Sequence, residues 1–141
     1  MKGCPICEIV SGSIPSWIVY RDAEVVCFLP KEVEAFGHTI VAPIHHIPDI
    51  CVASDESIGR LMVATRRLTM HYRERVGATG VNVLHASGAS AQQSVAHLHF
   101  HLIPRFDGDG LDAWPTLPGT SVGKDELLSR LKLAEQATEA D

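Results

Sequence analysis

The chain has 141 residues, 45% of them apolar and 21% charged, with a formal net charge of −5. This length suits one ordinary domain with a core that needs no disulfides, and the acidic balance excludes a generic nucleic-acid surface, which needs clustered Lys and Arg, while leaving room for a single nucleotide. The first residues hold no apolar signal core and no stretch reaches membrane-spanning length, so a cytoplasmic protein with no membrane partner is expected, its four cysteines being thiols or metal ligands rather than disulfides.

In chain order, Cys4-Pro5-Ile6-Cys7 leads into a short helical or irregular piece, Glu8-Ile9-Val10, that ends at Ser11-Gly12. Trp17–Tyr20 and Glu24–Leu29 read as two strands joined by a turn at Arg21-Asp22-Ala23, with Pro30 stopping the second. His38–Pro43 is a third strand, entered through Gly37. The one long helix runs from about Ser54 to Val76. Ser54 caps it, Asp55 and Glu56 complement its positive end, and Ile58, Leu61, Met62, Thr65, Leu68 and Tyr72 recur at helical spacing before Gly77. Gly80–Leu84 is a fourth strand, and His85–Gln92 a loop of small residues. The histidine run is the fifth strand. A Gly/Asp/Pro-rich loop over 107–120 then leads to a C-terminal helix from Lys124 to Ala137, with Leu127, Leu128, Leu131 and Ala134 on one side. The sum is an α+β chain: a five-stranded antiparallel sheet with helices beside it.

The run His97-Leu98-His99-Phe100-His101-Leu102-Ile103 carries the chemistry. Period two sends the three imidazoles to one face and Leu98, Phe100 and Leu102 to the other, with same-face neighbours roughly 6.5–7 Å apart. Such a row is a metal site, a nucleophile flanked by orienting and anion-binding neighbours, or three ordinary edge histidines. The loop ahead of it, Gly88 to Ser94, lets backbone N–H groups approach a phosphate, and Ser94 adds a hydroxyl. Cys4-x-x-Cys7 is half a zinc site, with His45 and His46 as candidate partners.

These residues resemble the histidine triad (HIT) family, whose motif alternates three histidines with apolar residues, as positions 97–103 do. Gln93-Ser94-Val95 resembles the family's lead-in, and Gly37-His38-Thr39-Ile40-Val41-Ala42-Pro43 its upstream segment with a fourth histidine. Cys4–Gly12 with Ile14-Pro15 resembles the N-terminus of its bacterial, HINT-like members. The match runs from residue 4 to about 110, within a single domain over 1–141 that adds a C-terminal loop and helix over 111–141. The third histidine sets the chain apart from the nucleotidyltransferase branch, where glutamine stands there.

The resemblance implies a homodimer whose sheets join into one larger sheet. It also implies hydrolysis at the α-phosphorus of a purine nucleotide or nucleoside phosphoramidate. His99 would be the nucleophile, forming a nucleotidyl-histidine that water cleaves, with no metal needed for catalysis. Neutral imidazole suits this role near pH 7. His38 would fix the ring of His99, while His101 and Ser94 would face the phosphate or leaving group. Substrate contacts are expected from Phe28, Pro30, His85, Gln92, Gln93, Ser94, Val95, His99 and His101. Structural zinc would sit on Cys4, Cys7, His46 and His97. The chain departs from the family pattern at Pro30, usually Asp on the ribose; at His85, usually Asn; and at Gln92, usually Gly. The rival readings are a dinucleoside polyphosphate hydrolase and a non-catalytic nucleotide-binding or interaction protein.

Overall fold

Five strands, β1 (Ile18–Arg21), β2 (Val25–Phe28), β3 (Thr39–Pro43), β4 (Gly80–Leu84) and β5 (Phe100–Arg105), form one antiparallel sheet in the order β1-β2-β3-β5-β4. The computed structural model describes residues 3–113 and 115–134. Its contacts group the chain into two units, Met1–Leu111 and Asp112–Asp141.

In the first unit, period-two alternation divides the core between the two faces of the sheet. Val25, Cys27, Val41, Leu98, Phe100 and Leu102 face helix α2 (Asp55–His71) and meet Leu61, Ala64 and Leu68 there. Val26, Phe28, Ile40 and Ala42 face the other way, against Cys4 and Ile6 of the N-terminal segment, which carries helix α1 (Pro5–Val10). With both faces covered, β2 and β3 are buried along their whole lengths and read as continuous apolar runs. Each such Val or Leu contributes about 1.5–3 kcal/mol by leaving water.

Local chemistry sets the ends of α2. Ser54 Oγ accepts from the Ser57 N–H, with Asp55 and Glu56 in the first turn. Its last turn widens to i→i+5 over Tyr72–Val76 and stops at Gly77, in the left-handed region at φ 78°. Tyr72 joins this helix to the sheet: Thr39 Oγ1 donates to the Gly37 carbonyl at 2.9 Å, so the Tyr72 hydroxyl, 2.6 Å away, donates to Thr39. The same entry into β3 needs a glycine. Gly37 sits at φ +73°, and a Cβ there would lie 2.6 Å from Cγ of Pro104. His38 is thereby delivered to the start of β3.

The elements match the expected order, with shifted ends. β1 extends to Arg21, and Trp17 precedes it; β2 is two residues shorter than the apolar run 24–29. The ladder of β5 begins only at Phe100, so His97, in a bend, and His99 lie just ahead of it, although Leu98 and Phe100 already share a face there. In the second unit, helix α3 covers Lys124–Leu131 and ends where Lys132 turns extended at ψ 118°. Ala134 therefore lies beyond it, and residues 135–137 of the expected helix fall outside the described residues. Among the described residues no helix is long and apolar enough to cross a membrane.

Candidate functional site

Beneath the α1 face of the sheet, His99 and His101 open into a cleft of about 520 Å³. Ile6, Ile9, Phe28, Ile40 and Val95 give it apolar walls, and Ser94 adds a hydroxyl. Pro30, Lys31 and Trp17 also line it. Of the expected substrate contacts, Phe28, Pro30, Ser94, Val95, His99 and His101 meet here. Ile6, Ile9, Trp17 and Lys31 were not anticipated. The i, i+3 pairing of Ile6 and Ile9 was a visible signal that α1 presents an apolar stripe; nothing local marked Trp17 or Lys31.

The main chain holds the imidazoles in defined states. His99 Nδ1 lies 2.7 Å from the carbonyl of His97. A carbonyl only accepts, so Nδ1 carries the proton and, in the neutral ring, Nε2 keeps its lone pair. His38, expected beside His99, instead meets His101: His38 Nε2 and His101 Nδ1 are 2.9 Å apart. Pairing of Ile40 with His101 explains the difference, because it places residue 38 diagonally across from 101 and carries 99 away toward the other end of β3. His38 Nδ1 is buried with no partner. A buried bare lone pair is better tolerated than a buried bare N–H, so His38 Nε2 donates to His101. That leaves the His101 proton on Nε2. Burial, then repulsion from His99, His38 and His85, pushes His101 down to about 4, and burial also lowers His38. Both rings are neutral near pH 7.

Three expected substrate residues do not line the cleft. His85 Nδ1 is 2.8 Å from the carbonyl of His99 and its Nε2 2.8 Å from Ser87 Oγ, so both ring nitrogens are used within the protein. Gln93 Oε1 accepts from the Gly88 N–H, and its Nε2 donates to the carbonyls of Pro48 and Val95. Gln92 is exposed and left-handed, at φ 65° and ψ 30°. These residues shape the loop ahead of β5 rather than present groups from it to the cleft.

Behind the cleft, Cys4, Cys7, His46 and His97 bring one donor atom each to within 4.8 Å of one another. Cys4 Sγ and Cys7 Sγ lie 3.3 and 3.5 Å from His97 Nδ1, and Cys7 Sγ lies 3.4 Å from His46 Nδ1. A tetrahedron with Zn–S near 2.3 Å and Zn–N near 2.0 Å has S–N edges of about 3.5 Å. His97 Nε2 donates to the Pro43 carbonyl at 2.9 Å, which bares Nδ1 toward the thiols as an outer partner of a metal ligand does. Burial and the adjacent Cys4 push the Cys7 thiol up, a pair of thiols that a divalent cation would deprotonate on binding. The donor set fits a metal.

Comparison with known proteins agrees. The HIT domain family matches residues 11–108. The crystal structure of a HIT family member from Bacillus subtilis has a TM-score of 0.81, 32% identity, and covers 96% of this chain and 100% of its own. A zinc-bound histidine triad family protein from Mycobacterium smegmatis has a TM-score of 0.73 and 32% identity, covering 79% of this chain and 81% of its own. Adenosine 5'-monophosphoramidase hnt1 of Schizosaccharomyces pombe is 33% identical over 117 residues, 82% of this chain and 85% of that protein.

Proposed function

The chain belongs to the HIT family, and on that premise we propose that it is a nucleotide hydrolase or phosphoramidase. It acts at the α-phosphorus of purine nucleotides through a nucleotidyl-histidine on His99. One observation carries the reading: the 2.7 Å bond from His99 Nδ1 to the His97 carbonyl, which leaves a bare Nε2 on the wall of an apolar cleft. Its likeness to a protein named as an adenosine 5'-monophosphoramidase supports the substrate class.

In the first step His99 Nε2 attacks phosphorus and the bond to the amine, alcohol or phosphate leaving group breaks. In the second, water cleaves the phosphorus–nitrogen bond and frees the ring. His101 donates Nε2–H to the phosphoryl or leaving-group atoms, and Ser94 supplies a second donor. Both are fixed before the reaction begins, the condition under which hydrogen bonds best stabilise developing charge. Ile6, Ile9, Phe28 and Ile40 take the base. Pro30 offers the sugar no side-chain acceptor.

Zinc on Cys4, Cys7, His46 and His97 would be structural. It would tie the N-terminal segment to His46 and to His97, in the stretch leading into β5, and supply no chemistry to the cleft. The protein would act as a homodimer, a reading supported by exposed Met62, Val63 and Met70 on α2 and by β4, which pairs on one side only among the described residues.

Turnover of a fluorogenic adenosine 5'-phosphoramidate tests the reading. His99→Ala should lower kcat by on the order of 10³-fold or more, the scale seen when a nucleophile is removed. Equal turnover by the variant and the wild-type protein would show that His99 is not the attacking group.

A further inference from the structure

We propose that His85 is a positioning residue for His99, acting through the main chain of the nucleophile rather than on the substrate. The proposal rests on the reading of His99 given above. It follows from a chain of hydrogen bonds. The Ile50 N–H donates to Ser87 Oγ at 3.1 Å, and Ser87 Oγ lies 2.8 Å from His85 Nε2. His85 Nδ1 lies 2.8 Å from the His99 carbonyl, so Nδ1 carries the proton and, in the neutral ring, Nε2 accepts from the Ser87 hydroxyl. The ring is also held over Phe100, with centroids 4.8 Å apart.

Its location explains why a side chain is needed there. β4 ends at Leu84, paired with His101, and β5 begins at Phe100. The carbonyl of His99 is therefore the first acceptor beyond the paired strands, and the His85 imidazole takes the place of the missing ladder partner. The nucleophile is thus held twice, its ring by the carbonyl of His97 and its own carbonyl by His85. A third strap, from the Leu98 N–H to the Ile47 carbonyl at 2.6 Å, holds the residue between.

Side-chain geometry supplies the test. Nδ2 of Asn is the same number of bonds from the backbone as Nδ1 of His, so His85→Asn keeps a donor facing the His99 carbonyl. His85→Asp has the same shape and only acceptors. Kinetics of adenosine 5'-phosphoramidate hydrolysis should show kcat reduced roughly 10- to 100-fold in His85→Asp, the scale of an orienting partner. KM should stay within about twofold, because the ring does not line the cleft. His85→Asn should retain kcat within about threefold. Imidazole ¹H–¹⁵N spectra should show the His99 Nδ1–H signal sharp in wild-type and His85→Asn proteins and broadened by exchange in His85→Asp. Ser87→Ala, a milder change, should give an intermediate fall in kcat. The proposal is overturned if His85→Asp, folded by circular dichroism, keeps its kcat and its His99 signal, or if Asn is as damaging as Asp. Absence of turnover in the wild-type protein would sink the hydrolase reading, while the His99 signal in the two variants would still decide the role of His85.

Discussion

His99 gives its Nδ1 proton to the carbonyl of His97, 2.7 Å away, so a residue whose ring belongs to the cysteine cluster orients the candidate nucleophile. Metal at that cluster should therefore stabilise both the fold and the site. Elemental analysis of protein purified without chelator should find about one zinc per chain, from the four-ligand count, and Cys4→Ser/Cys7→Ser should abolish it. For a site filled a hundredfold above its dissociation constant, the loss of stability is about 3 kcal/mol. Urea denaturation of the two proteins measures it, and unchanged midpoints would contradict a structural role.

Acid should destabilise the protein through its buried histidines. The folded state holds the His101 imidazole neutral down to about 4, whereas an unfolded histidine takes its proton near 6.5. Between those values the unfolded chain binds more protons. The contribution of His101 is thus fully present above about pH 6.5 and is lost as pH falls toward 4. The interval sets an upper bound of about 3–4 kcal/mol, and His38, also lowered by burial, adds in the same direction. With chelator present throughout, urea midpoints followed from pH 7 to 4.5 should fall less steeply in His101→Gln than in the wild-type protein. Parallel curves would show that His101 titrates normally in the fold.

The partner of His101 is itself testable. His38 Nε2 lies 2.9 Å from His101 Nδ1 and, by donating, keeps the His101 proton on Nε2. His38→Ala removes that constraint and leaves a hole beside the half-buried His101 ring. The expected result is a fall in kcat of roughly tenfold, comparable with the loss of other orienting partners, with both His101 tautomers in ¹H–¹⁵N spectra. A single unchanged tautomer would mean that something other than His38 selects it.

What was legible in the sequence, and what was not, follows from what periodicity encodes. Alternation at 97–102 fixes which residues share a face, and the stripe with its Ser54 cap fixes α2, because both depend on neighbours in the chain. Neither says which atom meets which across the sheet. That depends on register, here Ile40 opposite His101, and register sent His38 to His101. The loop was opaque for a similar reason. Gln93 and His85 have the donors and acceptors of ligand-binding residues, but the backbone spends them on Pro48, Gly88, Val95 and the His99 carbonyl. The four-residue candidate metal cluster is implied by family resemblance; Cys4-x-x-Cys7 alone leaves two ligands open.

The same loop carries a pair of substitutions expected to act in opposite directions. Gly88 sits at φ 86° and ψ 158°, a region nearly closed to residues with a Cβ, and a Cβ built there meets nothing within 4 Å. Gly88→Ala should therefore cost about 1–3 kcal/mol through backbone strain alone. Gln92, four residues on, is the one non-glycine residue at positive φ among the described residues. A left-handed conformation costs an ordinary residue about 1–2 kcal/mol, and the added freedom of glycine in the unfolded chain gives back roughly half of that. Gln92→Gly should accordingly stabilise the protein by about 0.5–1 kcal/mol, read as a higher urea midpoint at constant slope. A lower midpoint would mean that the Gln92 side chain makes contacts worth more than the strain it imposes.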